Sequence, residues 1–250
     1  MNKFDIIYED KDILLCHKPA GIATQTKRLG QQDMESLLKN YRVKKGEQPY
    51  IGIVHRLDQP VEGMIVFAKN TKAAAVLSKQ IQNRMIGKYY YAVSKFAPET
   101  EQGVLENYLL TDKKTNVTKV LMKNFDLQDD SSVCESEKAD LRKNSKFAKL
   151  EYQVLAQKEE KTLFDIKLHT GRQHQIRVQM AHIGCPLVGD SKYGNQRYED
   201  GQGVKSPKIR ETLGLCSYKL EFQHPSTGKE MVFTIVPKGA VFQEFFVSKS

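Results

Sequence analysis

The alternation of hydrophobic and polar residues at the start of the chain predicts a β-hairpin. Residues 4–8 and 13–16 are two strand-like runs, and the polar residues 9–12 between them form the expected turn. A Lys-Pro-Ala-Gly sequence follows at residues 18–21, where proline and glycine favour a tight, defined loop.

The next part of the chain predicts a helix that begins at Thr71 and stops at Gly87. Lys72 and Lys79 fall on its outer face, and the residues of its inner face are apolar: Ala73, Ala74, Val76, Leu77 and Ile81. Around this helix the pattern predicts a further helix at 34–41 and strands at 50–54, 64–69 and 89–93.

The second half of the chain predicts two more pairs of strands and two helices. The strands are expected at 150–156 with 163–168 and at 215–222 with 231–236, and the helices at 171–183 and 240–247. Residues 126–145 are polar and of mixed charge, which indicates a surface loop. We therefore expect an α+β fold in which a mixed, mainly antiparallel sheet is flanked by helices and loops, within a single domain spanning residues 1–250.

Composition excludes several classes of protein. The longest apolar runs are far shorter than the ~20 residues of a membrane span, and the first residues have no apolar export signal, so we expect a cytoplasmic protein. The four cysteines and six histidines show no close ligand spacing, which predicts no metal site. Phosphate-binding and dinucleotide-binding glycine motifs are missing from the sequence, so no cofactor is expected.

Charge points to a polyanionic partner. The chain has 39 basic and 30 acidic residues, a net charge of +9. Residues 63–98 contain no acid, and residues 166–198 contain only Asp190. Such segments are typical of a groove that follows a phosphate backbone. The alternative for Lys72 and Lys79 is an ordinary solvated helix face.

The segment His55-Arg56-Leu57-Asp58 is the first candidate for chemistry. An arginine beside an aspartate favours the ionised carboxylate, which can act as a nucleophile or as a general base. Taken alone, these four residues favour the alternative, a structural ion pair that fixes the turn before Pro60.

The segment Gly171-Arg172-Gln173-His174-Gln175-Ile176-Arg177 is the second candidate. If a helix begins at Gly171, His174 and Arg177 share a face and Arg172 lies on another. One arginine then reaches a phosphate while the other pairs with an internal acid. The alternative is a helix N-terminus with ordinary polar residues.

Together these segments make the chain resemble the RluA-type pseudouridine synthases. The resemblance covers most of the chain in order, through 18–21 (Lys-Pro-Ala-Gly), 55–58 (His-Arg-Leu-Asp), 88–92 (Lys-Tyr-Tyr-Tyr-Ala), 171–177 (Gly-Arg-Gln-His-Gln-Ile-Arg), 215–220 and His224-Pro225. It implies a catalytic fold with a central active-site cleft, and an RNA isomerase that detaches uracil from ribose, rotates it and reattaches it through carbon 5. No cofactor or metal is implied.

The resemblance also implies roles for individual residues. Asp58 is the essential carboxylate, and Arg177 holds it ionised. Tyr90 stacks on the uracil, Leu215 lines an apolar pocket, and Arg56 fills the gap left by the flipped uridine. The expected RNA contacts are Lys72, Lys79, Arg84, Lys88, Arg172 and His174. We expect a monomer that acts on ribosomal or transfer RNA. For Tyr90, the alternative is a core tyrosine on a strand.

Two features depart from the family. Val61 and Glu62 stand where a threonine and a serine are common, although Gly63 is kept. Because Lys18 lies so early in the sequence, we expect a stand-alone catalytic domain, without the RNA-binding domain that precedes it in many relatives. Two other interpretations stay open: an inactive RNA-binding protein of the same fold, and a metal-independent hydrolase with Asp58 as its nucleophile.

Overall fold

A computed structural model describes residues 4–26, 28, 30–121, 144–194 and 211–246. The chain divides into two compact units. The first comprises Met1–Ala92 and Thr212–Ser250, and the second comprises Val93–Glu211. Within the described ranges, no helix combines the length and the apolar character that a membrane crossing requires.

The described residues form eleven strands and four helices. The strands are β1 (Asp5–Glu9), β2 (Ile13–Lys18), β3 (Gly52–Ile53), β4 (Glu62–Ala68), β5 (Gly87–Ser94), β6 (Gln102–Asp112), β7 (Val117–Leu121), β8 (Lys146–Lys158), β9 (Lys161–Leu168), β10 (Leu215–Gln223) and β11 (Glu230–Thr234). The helices are α1 (Met34–Lys44), α2 (Thr71–Gln82), α3 (Gln175–His182) and α4 (Ala240–Phe246).

The first unit is built on a sheet with the strand order β1-β2-β4-β10-β5. β3 pairs with β4, and β11 pairs with β10. The pairs are antiparallel except for β4 and β10, which run parallel. β4 is buried along its whole length, as expected of a strand with neighbours on both sides.

Helix α2 covers this sheet and closes the core of the first unit. Asn70 caps its N-terminus by accepting a hydrogen bond from the N–H of Ala73, at 2.9 Å. Ala73 and Leu77 pack against apolar residues of β2, β4 and β10: Ile13, Leu15, Met64, Val66, Leu220 and Phe222.

Two details of the α2 prediction are wrong. Val76 is 40% exposed, and the buried position is Gln80, whose amide exchanges two hydrogen bonds with the backbone of Gln223. The helix also ends at Gln82, well before Gly87, because Gly87 is the first residue of β5. Arg84 makes the intervening turn in the left-handed region, with φ 57°.

The second unit contains the antiparallel strands β9-β8-β6-β7 in that order. Helix α3 packs on them through Val178 and Ala181, which join Leu109, Ala148 and Tyr193 in a small core. The sequence pattern predicts no strand at the positions of β6 and β7. Exposed apolar residues, Val104 and Tyr108, break the alternation along β6.

Helix α3 begins later than predicted, at Gln175 instead of Gly171. The Gln175 side chain explains this start, because its oxygen accepts hydrogen bonds from the Thr170 hydroxyl and from the N–H of Arg172. These bonds hold residues 170–174 as a loop. His174, with φ 52°, lies in the left-handed region and occupies the N-cap position of the helix.

The predicted α+β class with a mixed, mainly antiparallel sheet is confirmed. The N-terminal hairpin, the β8–β9 pair, the β10–β11 pair and the last helix lie where the sequence predicts them. The expected loop at 126–145 lies outside the described residues except for its last two positions. That residues 1–250 act as one domain stays a prediction.

Candidate active site

A buried lysine joins two of the sequence motifs in the first unit. Lys18, fully buried at the end of β2, donates from Nζ to the carbonyl oxygens of Pro19 at 3.0 Å, Ile22 at 2.7 Å and Gln59 at 3.2 Å. Gly21, at φ 88°, donates its N–H to the same Gln59 oxygen at 2.8 Å. The Lys-Pro-Ala-Gly loop is therefore fixed directly against the segment that carries Asp58.

A threonine hydroxyl fixes the residue before Asp58. Thr24 Oγ1 donates to the carbonyl oxygen of Leu57 at 3.0 Å and accepts from the N–H of Leu57 at 3.1 Å. Both residues are buried. On the other side of the aspartate, the N–H of Val61 donates to the carbonyl oxygen of Asp58 at 3.0 Å and closes a turn. The backbone of Asp58 is thus held on both sides.

The charge of Asp58 acts on two buried groups of the first unit. Burial lowers the pKa of Lys18 to about 8, and the negative charge of Asp58 opposes that change. Burial raises the pKa of Tyr90, and the Asp58 charge raises it further. Tyr90 is therefore a neutral phenol near a half-buried carboxylate.

His55 supports the same segment as a neutral ring. Its Nε2 accepts a hydrogen bond from the N–H of Val66 at 3.2 Å. Burial lowers the pKa of His55 to about 3, and the positive charge of Lys88 acts in the same direction. His55 therefore connects the His-Arg-Leu-Asp segment to the centre of β4 without carrying charge.

Strands β5 and β10 bring Tyr90 and Leu215 to one face of the sheet. Tyr90 lies opposite Ser217, and Ala92 lies opposite Leu215. Since cross-strand neighbours point to the same side, all four side chains share a face. Tyr90, Ala92, Leu215 and Ser217 are all buried.

Gly63 permits the close contact between β4 and β10. It lies opposite Ser217 with φ 127°, and a Cβ atom there would be 2.4 Å from the backbone nitrogen of Ser217. A larger residue would force the parallel pair of strands apart. This close contact explains why position 63 is a glycine, as in the family, although Val61 and Glu62 beside it depart from the family pattern.

Glu62, one of those departures, is buried and hydrogen-bonded. Its Oε1 accepts from the N–H of Gly239 at 2.9 Å, and its Oε2 lies 3.6 Å from Nε2 of His17, which is also buried. The carboxylate thus connects β4 to the segment that leads into α4.

Arg177 forms a buried bidentate ion pair within the second unit. Its Nε donates to Oδ2 of Asp190, and its Nη2 donates to Oδ1, both at 2.7 Å. The guanidinium also lies 5.2 Å from the ring centroid of Tyr193. Burial alone would raise the pKa of Asp190, but the hydrogen bonds and charge of Arg177 hold it below its usual value. The internal acid that the sequence expected for one arginine is thus Asp190, whereas the pairing of Arg177 with Asp58 stays a prediction.

The expected RNA contacts differ in exposure. Lys72, Lys79 and Arg84 are exposed, as is Arg56, while Lys88 is half-buried. His174 is buried, and its Nδ1 lies 2.8 Å from the Tyr193 hydroxyl. Arg172 is half-buried and donates from Nε to the carbonyl oxygen of Phe147 at 2.8 Å. These two residues therefore also have structural contacts within the second unit.

Comparison with known proteins identifies the class. The family model for RNA pseudouridylate synthases matches residues 12–182. A Bacillus subtilis RNA pseudouridine synthase, YhcT, is 30% identical over 92% of this chain and 67% of its own length. Ribosomal large subunit pseudouridine synthase D of Pseudomonas aeruginosa is 34% identical over 92% of this chain and 67% of its own length. The chain thus spans about two thirds of these relatives.

A solved structure shows the same fold. Human RNA pseudouridylate synthase domain containing 4 superposes with a TM-score of 0.68 at 20% identity, covering 93% of this chain and 88% of that one. The family match and the relatives together define an RNA-modifying isomerase. The chain belongs to the RNA pseudouridylate synthase family, whose members convert uridine in RNA to pseudouridine.

Proposed function

We propose that this protein isomerises specific uridines of structured ribosomal or transfer RNA, with Asp58 as its essential carboxylate and without a cofactor or metal ion. One observation carries the proposal: Lys18 and Thr24 hold two family motifs together around Asp58 by hydrogen bonds to the residues on either side of it. Because its neighbours on both sides are fixed, Asp58 can hold its carboxylate in a defined orientation toward a substrate.

The proposed reaction breaks one bond and forms one. The bond between uracil N1 and ribose C1′ breaks, and a bond between uracil C5 and C1′ forms. The hydrogen of C5 leaves to solvent while N1 gains a proton, so no oxidant or reductant is needed. Asp58 acts as the nucleophile, on the ribose or on the base.

Arg177 orients the Asp58 carboxylate in this proposal. A guanidinium carries five N–H groups in a planar fork, so it can hold Asp190 and a second acceptor at once. The two 2.7 Å bonds to Asp190 support this role, because they fix the plane of the guanidinium. A fixed donor contributes more to orientation than a mobile one.

The target base must leave its helix to reach Asp58, at a cost of a few kcal/mol. We assign Tyr90 to stack on the flipped uracil and Leu215 to line the pocket beside it. Their shared face on β5 and β10 supports this assignment. Arg56, exposed two residues before Asp58, fills the space that the base leaves.

The RNA backbone is bound by the basic segments of the chain. The exposure of Lys72, Lys79 and Arg84 supports their part in this binding. Lys88 and Arg172 receive less support, because their side chains are half-buried. The buried His174 receives the least support. The proposal further makes the protein a cytoplasmic monomer, which sedimentation and cell fractionation test directly.

Deletion of the gene in the source organism tests the function. Carbodiimide mapping of ribosomal and transfer RNA should show at least one pseudouridine lost, restored by the wild-type protein and not by Asp58→Asn. Asp112→Asn, at an exposed position of β6, is the matched control and should restore the site. An unchanged map would refute the proposal, and restoration by Asp58→Asn would refute the role of Asp58.

A further inference from the structure

Ser217 is a buried serine whose hydroxyl is unsatisfied. The residue is 0% exposed, and among the described residues its Oγ has no hydrogen-bond partner. Buried polar groups of native proteins are nearly always hydrogen-bonded, so an exception calls for a reason. Ser94 shows the usual case: it is equally buried, and its Oγ donates to the carbonyl oxygen of Pro186 at 2.8 Å and accepts from the N–H of Phe96 at 3.1 Å.

The surroundings of Ser217 direct its hydroxyl to Tyr90. The two residues are cross-strand neighbours on β10 and β5, so their side chains lie on the same face. On the other side of β10, Gly63 brings β4 so close that Ser217 is fixed in its backbone position. Burial raises the pKa of the Tyr90 phenol, and a polar interaction with the Ser217 hydroxyl lowers it. The two hydroxyls are therefore close to each other, although they do not meet the geometry of an ordinary hydrogen bond.

A stacking ring needs a fixed orientation to be useful in a reaction that rotates the base. A tyrosine ring turns about two side-chain bonds, and a hydrogen bond to its hydroxyl is the simplest way to hold it. Ser217 can supply that bond because a serine hydroxyl rotates to suit its partner.

We propose that Ser217 is a positioning residue for Tyr90, donating a hydrogen bond to the phenolic oxygen when the flipped uracil stacks on the ring. This inference rests on the proposed function, in which Tyr90 carries the base. It adds a residue that acts through Tyr90 and not on the RNA itself.

A double-mutant cycle tests this coupling. Ser217→Ala, Tyr90→Phe and the double variant are compared with wild type by tritium release from RNA labelled at uridine carbon 5. We expect each single variant to lower kcat about three- to tenfold, with KM nearly unchanged. The double variant should be no slower than Tyr90→Phe, because the hydroxyl of Ser217 then has no phenol to hold.

Unfolding in urea separates positioning from a merely structural role. Ser217→Ala should leave stability unchanged or raise it, since it removes an unsatisfied hydroxyl. Ser94→Ala is the matched control, which should lose stability but keep its kcat. Full activity of Ser217→Ala would overturn the inference. It would also be overturned if Ser217→Ala lowered kcat by the same factor in Tyr90→Phe as in wild type. An inactive wild type would instead overturn the proposed function.

Discussion

The carboxylate of Glu62 accepts a 2.9 Å hydrogen bond from the backbone N–H of Gly239, 177 residues further along the chain. A Cβ atom at Gly239 would lie 2.8 Å from Glu62 Oε1, so a side chain at this position would crowd the carboxylate. Gly239 directly precedes α4. Glu62 therefore has a structural function at a position where the family commonly has a hydroxyl.

Replacing Glu62 with the family's hydroxyl should destabilise the protein. In Glu62→Ser the shorter side chain does not reach the N–H of Gly239, and a lost buried hydrogen bond costs about 1–3 kcal/mol of unfolding free energy. Glu62→Gln keeps an acceptor oxygen and should cost less. Urea unfolding of both variants measures the difference, and equal losses would show that the hydrogen bond to Gly239 is not the cause.

The hydroxyl of Thr24 should matter for both stability and activity. Thr24→Val has nearly the same shape but leaves the N–H and the carbonyl oxygen of Leu57 without this partner, at a cost of about 1–3 kcal/mol. Because Leu57 precedes Asp58, tritium release should also slow several-fold. Thr24→Ser keeps the hydroxyl and should retain most of both properties. If Val and Ser variants behaved alike, the hydroxyl would not fix the loop.

Lys18 should make the stability of the first unit depend on pH. Its pKa is about 8 in the folded protein against 10.5 for an ordinary lysine, because burial disfavours its charge. The folded state then binds fewer protons than the unfolded state between these values, so stability rises with pH. Lys18→Met cannot titrate. The stability advantage of wild type over Lys18→Met should therefore grow by about 2 kcal/mol from about pH 7 to about pH 9.5.

The control for this pH effect is an exposed lysine. Lys229→Met should differ from wild type by the same small amount at both pH values, because Lys229 is exposed. Urea unfolding at the two pH values measures how far the unfolding free energy of each variant, Lys18→Met and Lys229→Met, differs from that of wild type. A constant difference between wild type and Lys18→Met would contradict the lowered pKa of Lys18.

Lys72 and Lys79 should contribute to RNA affinity through their charge alone. Replacing both with alanine should weaken binding of bulk transfer RNA and reduce the slope of log affinity against log salt by about two. Lys113→Ala with Lys114→Ala, exposed lysines of the second unit outside the acid-poor segments, is the control. Filter binding across a potassium chloride series measures both slopes. Equal slopes for the two double variants would remove α2 from the RNA surface.

The strands and helices with regular periodicity were predictable from the sequence, and the exceptions have physical causes. In α2, the apolar Val76 suits the inner face by type, but Gln80 is buried because its amide pairs with the backbone of Gln223. Such a pairing depends on a strand 143 residues away and leaves no local pattern. The start of α3 likewise depends on contacts of the Gln175 side chain, with Thr170 five residues earlier and with the carbonyl oxygen of Lys149, 26 residues earlier.

For the site, the motifs indicate candidate residues but not how those residues are held. The bonds from Lys18 to Gln59 and from Thr24 to Leu57 connect residues that are far apart in sequence. Asp190 was visible only as the single acid of a basic segment, and its pairing with Arg177 becomes clear from the bidentate geometry. Ser217 lies within the 215–220 motif, but the sequence gives no sign of its role, because an unsatisfied hydroxyl is defined by its surroundings.

The central claim is that Asp58 carries out the isomerisation, and tritium release tests it most directly. Forming the bond between uracil C5 and C1′ displaces the C5 hydrogen, so each turnover on ribosomal or transfer RNA labelled there releases one tritium to water. We predict release by wild type and by Asp112→Asn, and a decrease of about a thousandfold or more for Asp58→Asn. Release by Asp58→Asn at the wild-type rate would contradict the account.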